Sequence, residues 1–269
     1  MTAGPFQIGL VHRVLPDPAA AVGPDRTCAI PPAELDAWLT RRGTWWKPAP
    51  AELLAAPLPA GRPGLLLTCD DGFRDFAEQT LPLLERHGVH AILFVVDDFA
   101  AGRREPYERL LARLAPADWQ ERRLALKPLS PARRWQAVEA LAAARGRTPE
   151  ELFAGDLLTR AEIAELDRHP LVTVGSHGLG HAFLPGLSAA EARREMEGSR
   201  VAFERLLGRP VPHFSYPYGA HNRRLRRLAR RSGYRFGYTT EARSLAARDL
   251  RRGLALPRLD LAGVPAEAV

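Results

Sequence analysis

Short apolar runs recur at Phe6–Val11, Gly64–Cys69, Val89–Val96, Leu171–Gly175, Pro212–Tyr216, Arg235–Thr239 and Ala255–Leu259, and predict seven buried strands. Helical patterns separate most of them. From Asp75 to His87, apolar Phe76, Leu81, Leu83 and Leu84 precede Gly88, a C-cap signal. Thr159 with Glu162 and Ser188 with Glu191 are capping boxes that open two more helices. Strands alternating with helices imply an α/β class, either an open parallel sheet or a closed barrel. The stretch 101–156 breaks the rhythm. Its Trp119, Leu124, Leu126, Trp135, Val138 and Leu141 predict a small helical insertion, with Thr148-Pro149 starting its last helix. Pro48–Pro63 reads as a helical turn and a loop into the next strand, and no repeat or low-complexity linker divides residues 1–269.

Composition narrows the class. The 269 residues are 46% hydrophobic and 26% charged, which excludes wholesale disorder, collagen and coiled coil. No apolar run approaches the roughly 18 residues that span a bilayer, and Met1–Leu10 lacks a basic region followed by a long apolar one. The expected location is cytoplasmic. Cys28 and Cys69 are the only cysteines, so no disulfide framework is expected. The net charge of +7 permits attraction to phosphates or acidic glycans without requiring it. In Asn222–Arg231, Leu225, Leu228 and Ala229 form one face and leave the arginines on a solvated one, with no aromatic residue interleaved for base stacking. Nucleic acid is therefore not the expected partner.

Candidate chemistry gathers at predicted strand ends. Asp70 and Asp71 leave the strand Gly64–Cys69 on a turn at Gly72, and two buried carboxylates there need a metal, an arginine or water as compensation. Taken alone, Asp-Asp-Gly is more often a loop that caps a helix through Asp71 or Asp75. His177 and His181, four residues apart, can both reach one divalent ion, although such a pair is also common on surfaces and loops. With Asp71 they make a set of two histidines and one carboxylate with positions left open, the pattern of a catalytic metal site. In Phe214–Gly219, Pro217 beside a glycine turn can present a backbone N–H to a developing oxyanion, or form an ordinary aromatic turn. His12 ends the first strand and Arg258 sits in the last, each of a type that by itself usually serves structure. In an α/β barrel, however, the carboxyl ends of the strands jointly build the active site.

These strings resemble the polysaccharide deacetylases of the NodB-homology type (carbohydrate esterase family 4). Thr68-Cys69-Asp70-Asp71-Gly72 is similar to the family's Thr-Phe-Asp-Asp-Gly, Ser176–His181 to its His-Ser/Thr-x-x-x-His element, and Ser215–Gly219 to its third motif. Gly9–Val14 resembles the Tyr-His segment of the circularly rearranged branch, whose catalytic histidine is N-terminal. The resemblance covers nearly the whole chain except the insertion. It implies a distorted (β/α)7-type barrel, one catalytic domain over 1–269 with 101–156 inserted, and hydrolysis of the N-acetyl group of an amino sugar in a glycan or glycan precursor. It further implies Asp70 as general base, Asp71, His177 and His181 as metal ligands, Tyr218 N–H at the oxyanion and His12 as general acid. The ion expected is zinc, with cobalt, nickel or manganese suited to the same donors.

Three positions depart from the family pattern. Ser215 stands where the third motif often has an arginine that contacts the base, and Arg258 is the expected replacement from another strand. Val11 replaces the usual tyrosine and Cys69 the usual phenylalanine, and neither change removes a ligand. His213 and His221 are expected to be peripheral, and Trp45, Trp46, Trp119 and Trp135 to pack rather than stack on sugars. The rival readings are a non-catalytic glycan-binding protein on the same fold and an arginine-rich nucleic-acid binder.

Overall fold

A computed structural model describes residues 5–55 and 63–262. Nine strands are present among them: β1 (Phe6–Val11), β2 (Arg13–Val14), β3 (Ala29–Ile30), β4 (Gly64–Cys69), β5 (Ala91–Val95), β6 (Val172–Ser176), β7 (His213–Ser215), β8 (Phe236–Tyr238) and β9 (Leu259–Asp260). Seven make one sheet in the order β8-β7-β6-β5-β4-β1-β9, and every pairing in it is parallel. β2 and β3 form a separate short pair that the apolar pattern does not signal, because two residues establish no period.

The sheet curls into a half-barrel, a (β/α)7-type fold, and its last segment ties the two edges together. Leu256 donates to Gly237 O at 2.7 Å and accepts from Thr239 N–H at 2.9 Å on the β8 edge. Three residues later β9 pairs with β1, and Leu261 donates to Leu10 O at 2.9 Å. The strand expected at Ala255–Leu259 is therefore corrected to a single bridge at Leu256 and a two-residue β9. Pro257 has no N–H to continue a ladder, and the chain crosses from one edge to the other at that point.

Side chains alternate between the two faces of the sheet. Phe6, Ile8, Leu66, Ile92, Phe94, Phe236, Tyr238 and Leu256 fill the concave side. Leu65, Leu67, Leu93, Val95, Val172 and Val174 point outward to the helices. By the same parity His12, Asp70, His177 and Ser215 continue the inward rows at the carboxyl rim. Register supports this: Val11 pairs with Cys69, so His12 and Asp70 leave adjacent strands at one level.

The predicted helix starts and stops are present. Both capping boxes form, at Thr159–Glu162 and Ser188–Glu191, opening the helices Arg160–Leu166 and Ala189–Leu207. Gly88 takes the left-handed conformation at the end of Leu81–His87. The expected helix from Asp75 is divided, with a π-type turn at Phe76–Thr80 before the α-helix. Pro82 cannot donate to the preceding turn, and Leu81 N–H bonds instead to Phe76 O. A short helix occupies Pro50–Ala55, and the loop that follows it falls partly outside the described residues.

Between β5 and β6 lie the helices Tyr107–Leu114, Trp119–Leu126 and Pro131–Ala143, and a 3-10 turn at Glu150–Leu152 replaces the expected last helix of the insertion. They share a small core of Tyr107, Leu110, Leu111, Leu114, Val138 and Ala142, against which Trp119 and Trp135 pack. Trp45 and Trp46 pack on the two faces of the main sheet.

Candidate active site

Asp70 follows β4 and is 2% exposed, with Arg258 behind it at 1%. The guanidinium grips both carboxylate oxygens, Nη1 to Oδ1 at 2.7 Å and Nη2 to Oδ2 at 2.8 Å. Arg258 itself is held by Thr239 O, Thr68 Oγ1 and Ser215 Oγ, and Ser215 donates to Asp70 Oδ2 at 3.1 Å. Burial alone would raise the Asp70 carboxyl, but the Arg258 charge, aided by His177, outweighs it and holds the group well below the usual carboxylate range. Position 215 is a serine, and the arginine that contacts Asp70 is Arg258, from the far end of the chain, with Ser215 completing the contact.

Asp71 sits beside this pair with a quite different environment. Its Oδ1 is buried and has no hydrogen-bond partner, yet it lies 3.6 Å from Nε2 of His177 and 3.6 Å from Nε2 of His181. Those distances are too long for hydrogen bonds. They match donors gathered around an ion, since ligands about 2.0–2.1 Å from a tetrahedral zinc stand about 3.4 Å apart. The three donor atoms lie within 4.8 Å of one another. His177 Nδ1 lies 2.8 Å from the Ser215 carbonyl, which can only accept, so Nδ1 carries the proton and Nε2 keeps its lone pair for the cluster. Burial, then the neighbouring His177 and Arg134, push His181 well below its ordinary value and keep that ring neutral. Burial pushes the Asp71 carboxyl up, against the pull of His177 and His12. The residues present fit a divalent ion.

Backbone strain marks the same place. Among the described residues, the non-glycine residues with positive φ are Asp71 (75°), His181 (52°) and Tyr218 (61°). Each such position costs on the order of 1–3 kcal/mol and persists only where the surroundings enforce it. For Tyr218 the enforcing contacts come from the insertion. Its hydroxyl donates to Glu108 Oε1 at 2.7 Å, and its ring lies 4.7 Å from that of His181. Arg134, buried in the helix Pro131–Ala143, donates to Gly180 O and His181 O at 3.1 and 2.8 Å and reaches the Tyr218 hydroxyl at 3.3 Å. One guanidinium therefore spans the second and third motifs.

A cavity of about 150 Å³ collects His12, Asp70, Asp71, His177, His181 and Tyr218 with Asp25, Cys28, Glu108, Arg109 and Arg123. Six of the seven site residues expected from sequence meet there, and Arg258 lies behind Asp70. His12 presents a buried Nδ1 with no partner. Beside it, Arg13 pairs with Asp25, Asp75 and Asp156 at 2.8–2.9 Å, so Asp75 anchors β2 rather than capping its helix by a side chain. His213 bonds to Tyr238 and His221 to Gly219 O, outside the cavity. Sequence reasoning missed Glu108, Arg109, Arg123 and Arg134. For Glu108 and Arg109 the available signal was charge set among leucines in Tyr107–Leu114, which does not say what the charge faces.

A family model described as Polysaccharide deacetylase matches residues 59–237, about two thirds of the chain. This chain belongs to the polysaccharide deacetylase family. The matched span includes Asp70, Asp71, His177, His181 and Tyr218 and leaves His12 and Arg258 outside it. A Bacillus subtilis (strain 168) protein, YxkH, whose name places it with the polysaccharide deacetylases, is 22% identical over 185 residues, covering 69% of this chain and 47% of the relative. The chain thus spans about half the length of that curated relative. Streptococcus pyogenes deacetylase PplD, solved in complex with acetate, superposes with a TM-score of 0.68 at 19% identity, covering 99% of this chain and 97% of that one. IcaB from Ammonifex degensii gives 0.65 at 16% identity, covering 96% and 92%. A de-N-acetylase from Aggregatibacter actinomycetemcomitans gives 0.64 at 15%, covering 95% of each. At these identities the likeness establishes the polysaccharide deacetylase fold.

Proposed function

We propose that this polysaccharide deacetylase removes acetyl groups from N-acetylated amino sugars of a glycan or glycan precursor, using one divalent ion. The observation that carries the reading is the unpartnered Asp71 Oδ1 between two imidazole Nε2 atoms, with Asp70 alongside. Asp71, His177 and His181 would hold the ion, zinc first by donor type and cobalt, nickel or manganese next. When bound, such an ion acts as a Lewis acid toward the acetamide carbonyl and acidifies a neighbouring water.

The chain's own groups divide the remaining work. Asp70, kept anionic by Arg258, accepts the proton of the water that adds to the carbonyl carbon. Arg258 does not itself line the cavity, and it serves as a positioning residue through Asp70. The Tyr218 N–H, on its strained turn, faces the developing oxyanion, and the phenol-to-Glu108 bond holds that turn. His12, immediately after β1 and level with Asp70, gives a proton to the departing nitrogen as the C–N bond breaks, leaving acetate and a free amine. This use of an N-terminal histidine is the arrangement of the circularly rearranged branch. The cavity accommodates an acetamido group and a few waters, at roughly 30 Å³ each, so the sugar chain lies across the rim. No helix among the described residues is long and apolar enough to cross a membrane.

The test is acetate release from N-acetylglucosamine oligomers by protein loaded with zinc, cobalt, nickel or manganese. We expect turnover that Asp70→Asn reduces by at least two orders of magnitude. Absence of turnover with every metal on a broad panel of amides and esters would sink the reading.

A further inference from the structure

The helix Arg223–Arg231 lines a cleft of about 630 Å³, separate from the catalytic cavity. Its walls carry Arg223, Arg226, Arg227, Arg230, Arg231, Arg243 and Arg252 against only two carboxylates, Glu241 and Asp249. Both carboxylates are already engaged by Arg243, at 3.4 and 2.7 Å. Among the described residues, Arg223, Arg226, Arg227, Arg230 and Arg252 make no side-chain hydrogen bond or ion pair. Arg224, by contrast, turns away and donates to Leu184 O and Leu187 O. The amphipathic pattern explains why Leu225, Leu228 and Ala229 face inward. It does not explain why the opposite face borders a concavity and not open solvent, or why so many like charges line it without partners.

Position links the cleft to the site. The catalytic cavity is walled by Tyr218, Gly219 and Thr240, and the arginine cleft begins at His221 and Glu241 on the same two loops. Those loops press together so closely that a Cβ on Gly219, at φ 65°, would stand 2.1 Å from Thr240 Oγ1. Arg223, Arg226, Arg227 and Arg230 then recur at successive turns. At about 1.5 Å per residue they lay a row of guanidiniums about 10 Å long, leading away from the shared ridge.

We infer that this cleft binds the anionic portion of the substrate: a saccharide that bears phosphate or carboxylate groups on units next to the acetamido sugar. The inference rests on the deacetylase reading for the position of the reacting sugar. Guanidinium forks bind either oxyanion bidentately, and a row of them suits a chain of repeating charges. A chain seated in both cavities places its acetamido group over Asp70 and Asp71 while its anions follow the helix.

The experiment compares kcat/KM on a neutral N-acetylglucosamine tetramer, a hyaluronan tetrasaccharide and a phosphodiester-linked N-acetylglucosamine oligomer. The wild-type chain is set beside the triple variant Arg226→Gln, Arg227→Gln, Arg230→Gln. The ratio of charged to neutral turnover should fall about tenfold or more in the variant, through KM, which is the loss of about 1.4 kcal/mol. Whichever charged saccharide shows the larger fall identifies the oxyanion. Parallel losses on all three substrates, or an unchanged ratio, overturn the inference. If the metal-loaded wild-type chain turns over none of them, calorimetry with tripolyphosphate and with hyaluronan tetrasaccharide decides the cleft, and the broad amide and ester panel decides the deacetylase reading separately. Binding that the triple variant loses upholds it, and no binding overturns it. An oligonucleotide binding more tightly than either anion overturns it in favour of nucleic acid.

Discussion

At the residue scale, Asp70 and Asp71 are chain neighbours with opposite electrostatic settings. Asp70 is ion-paired from behind by Arg258, whereas Asp71 is desolvated with an open oxygen. Such settings suit two adjacent carboxylates to the different duties proposed for them. Replacing Arg258 by Gln leaves Asp70 buried and unpaired, and the expected cost is about 3–5 kcal/mol at pH 7. The sign of its pH dependence follows from the folded-state depression of the Asp70 carboxyl. That contribution is fully present above the unfolded value of about 3.9 and is lost as pH falls through the folded value. Denaturant melts should therefore show the gap between wild type and Arg258→Gln narrowing as pH falls from about 7 to about 3, first as the variant's unpaired Asp70 protonates and then as the wild-type contribution is lost. An equal gap at pH 7 and pH 3 would contradict the ion pair as its origin. Where turnover survives, the acid limb of the variant's kcat/KM profile should move to higher pH, because burial then raises the base unopposed.

At the scale of elements, the helices between β5 and β6 brace the candidate site. The helix Pro131–Ala143 sends Arg134 to the His181 carbonyl, and Tyr107–Leu114 sends Glu108 to the Tyr218 hydroxyl. Both recipients hold positive φ. Arg134→Met should relax these turns and weaken ion binding about 10–100-fold, the range seen when groups that orient ligands are removed. Direct metal titration checks this independently of turnover, and Arg134→Lys should restore only part of it, lacking the fork that reaches both motifs. A control comes from the outer layer. Ser188→Ala removes the N-cap of Ala189–Leu207 and its reciprocal bond with Glu191. It should cost about 1 kcal/mol in a thermal melt and leave metal affinity unchanged.

At the scale of the whole molecule, the ion would join the rims of β4 and β6, whose ends supply Asp71, His177 and His181. Saturating zinc at about 100 times its Kd should stabilise the fold by about 2.7 kcal/mol and raise Tm by several degrees. Asp71→Asn should abolish that rise. A zinc-dependent rise that survives in the variant would place the ion elsewhere. Much of this architecture was legible in the chain itself. β1 and β4 begin and end where the apolar runs do, both capping boxes form, and six expected site residues share one cavity. Such features depend on backbone periodicity and on partners a few residues away, which sequence displays directly. Sequence also provided Arg258 as a candidate partner for the base, but the bidentate contact spans 188 positions and required β9 and the chain before it to cross between the sheet edges. Glu108 and Arg134 reach Tyr218 and His181 because the helices between β5 and β6 dock over the rim. The row of arginines became the wall of a cleft only when the loops after β7 and β8 met it. Long polar side chains can reach in many directions, and it was packing that selected one.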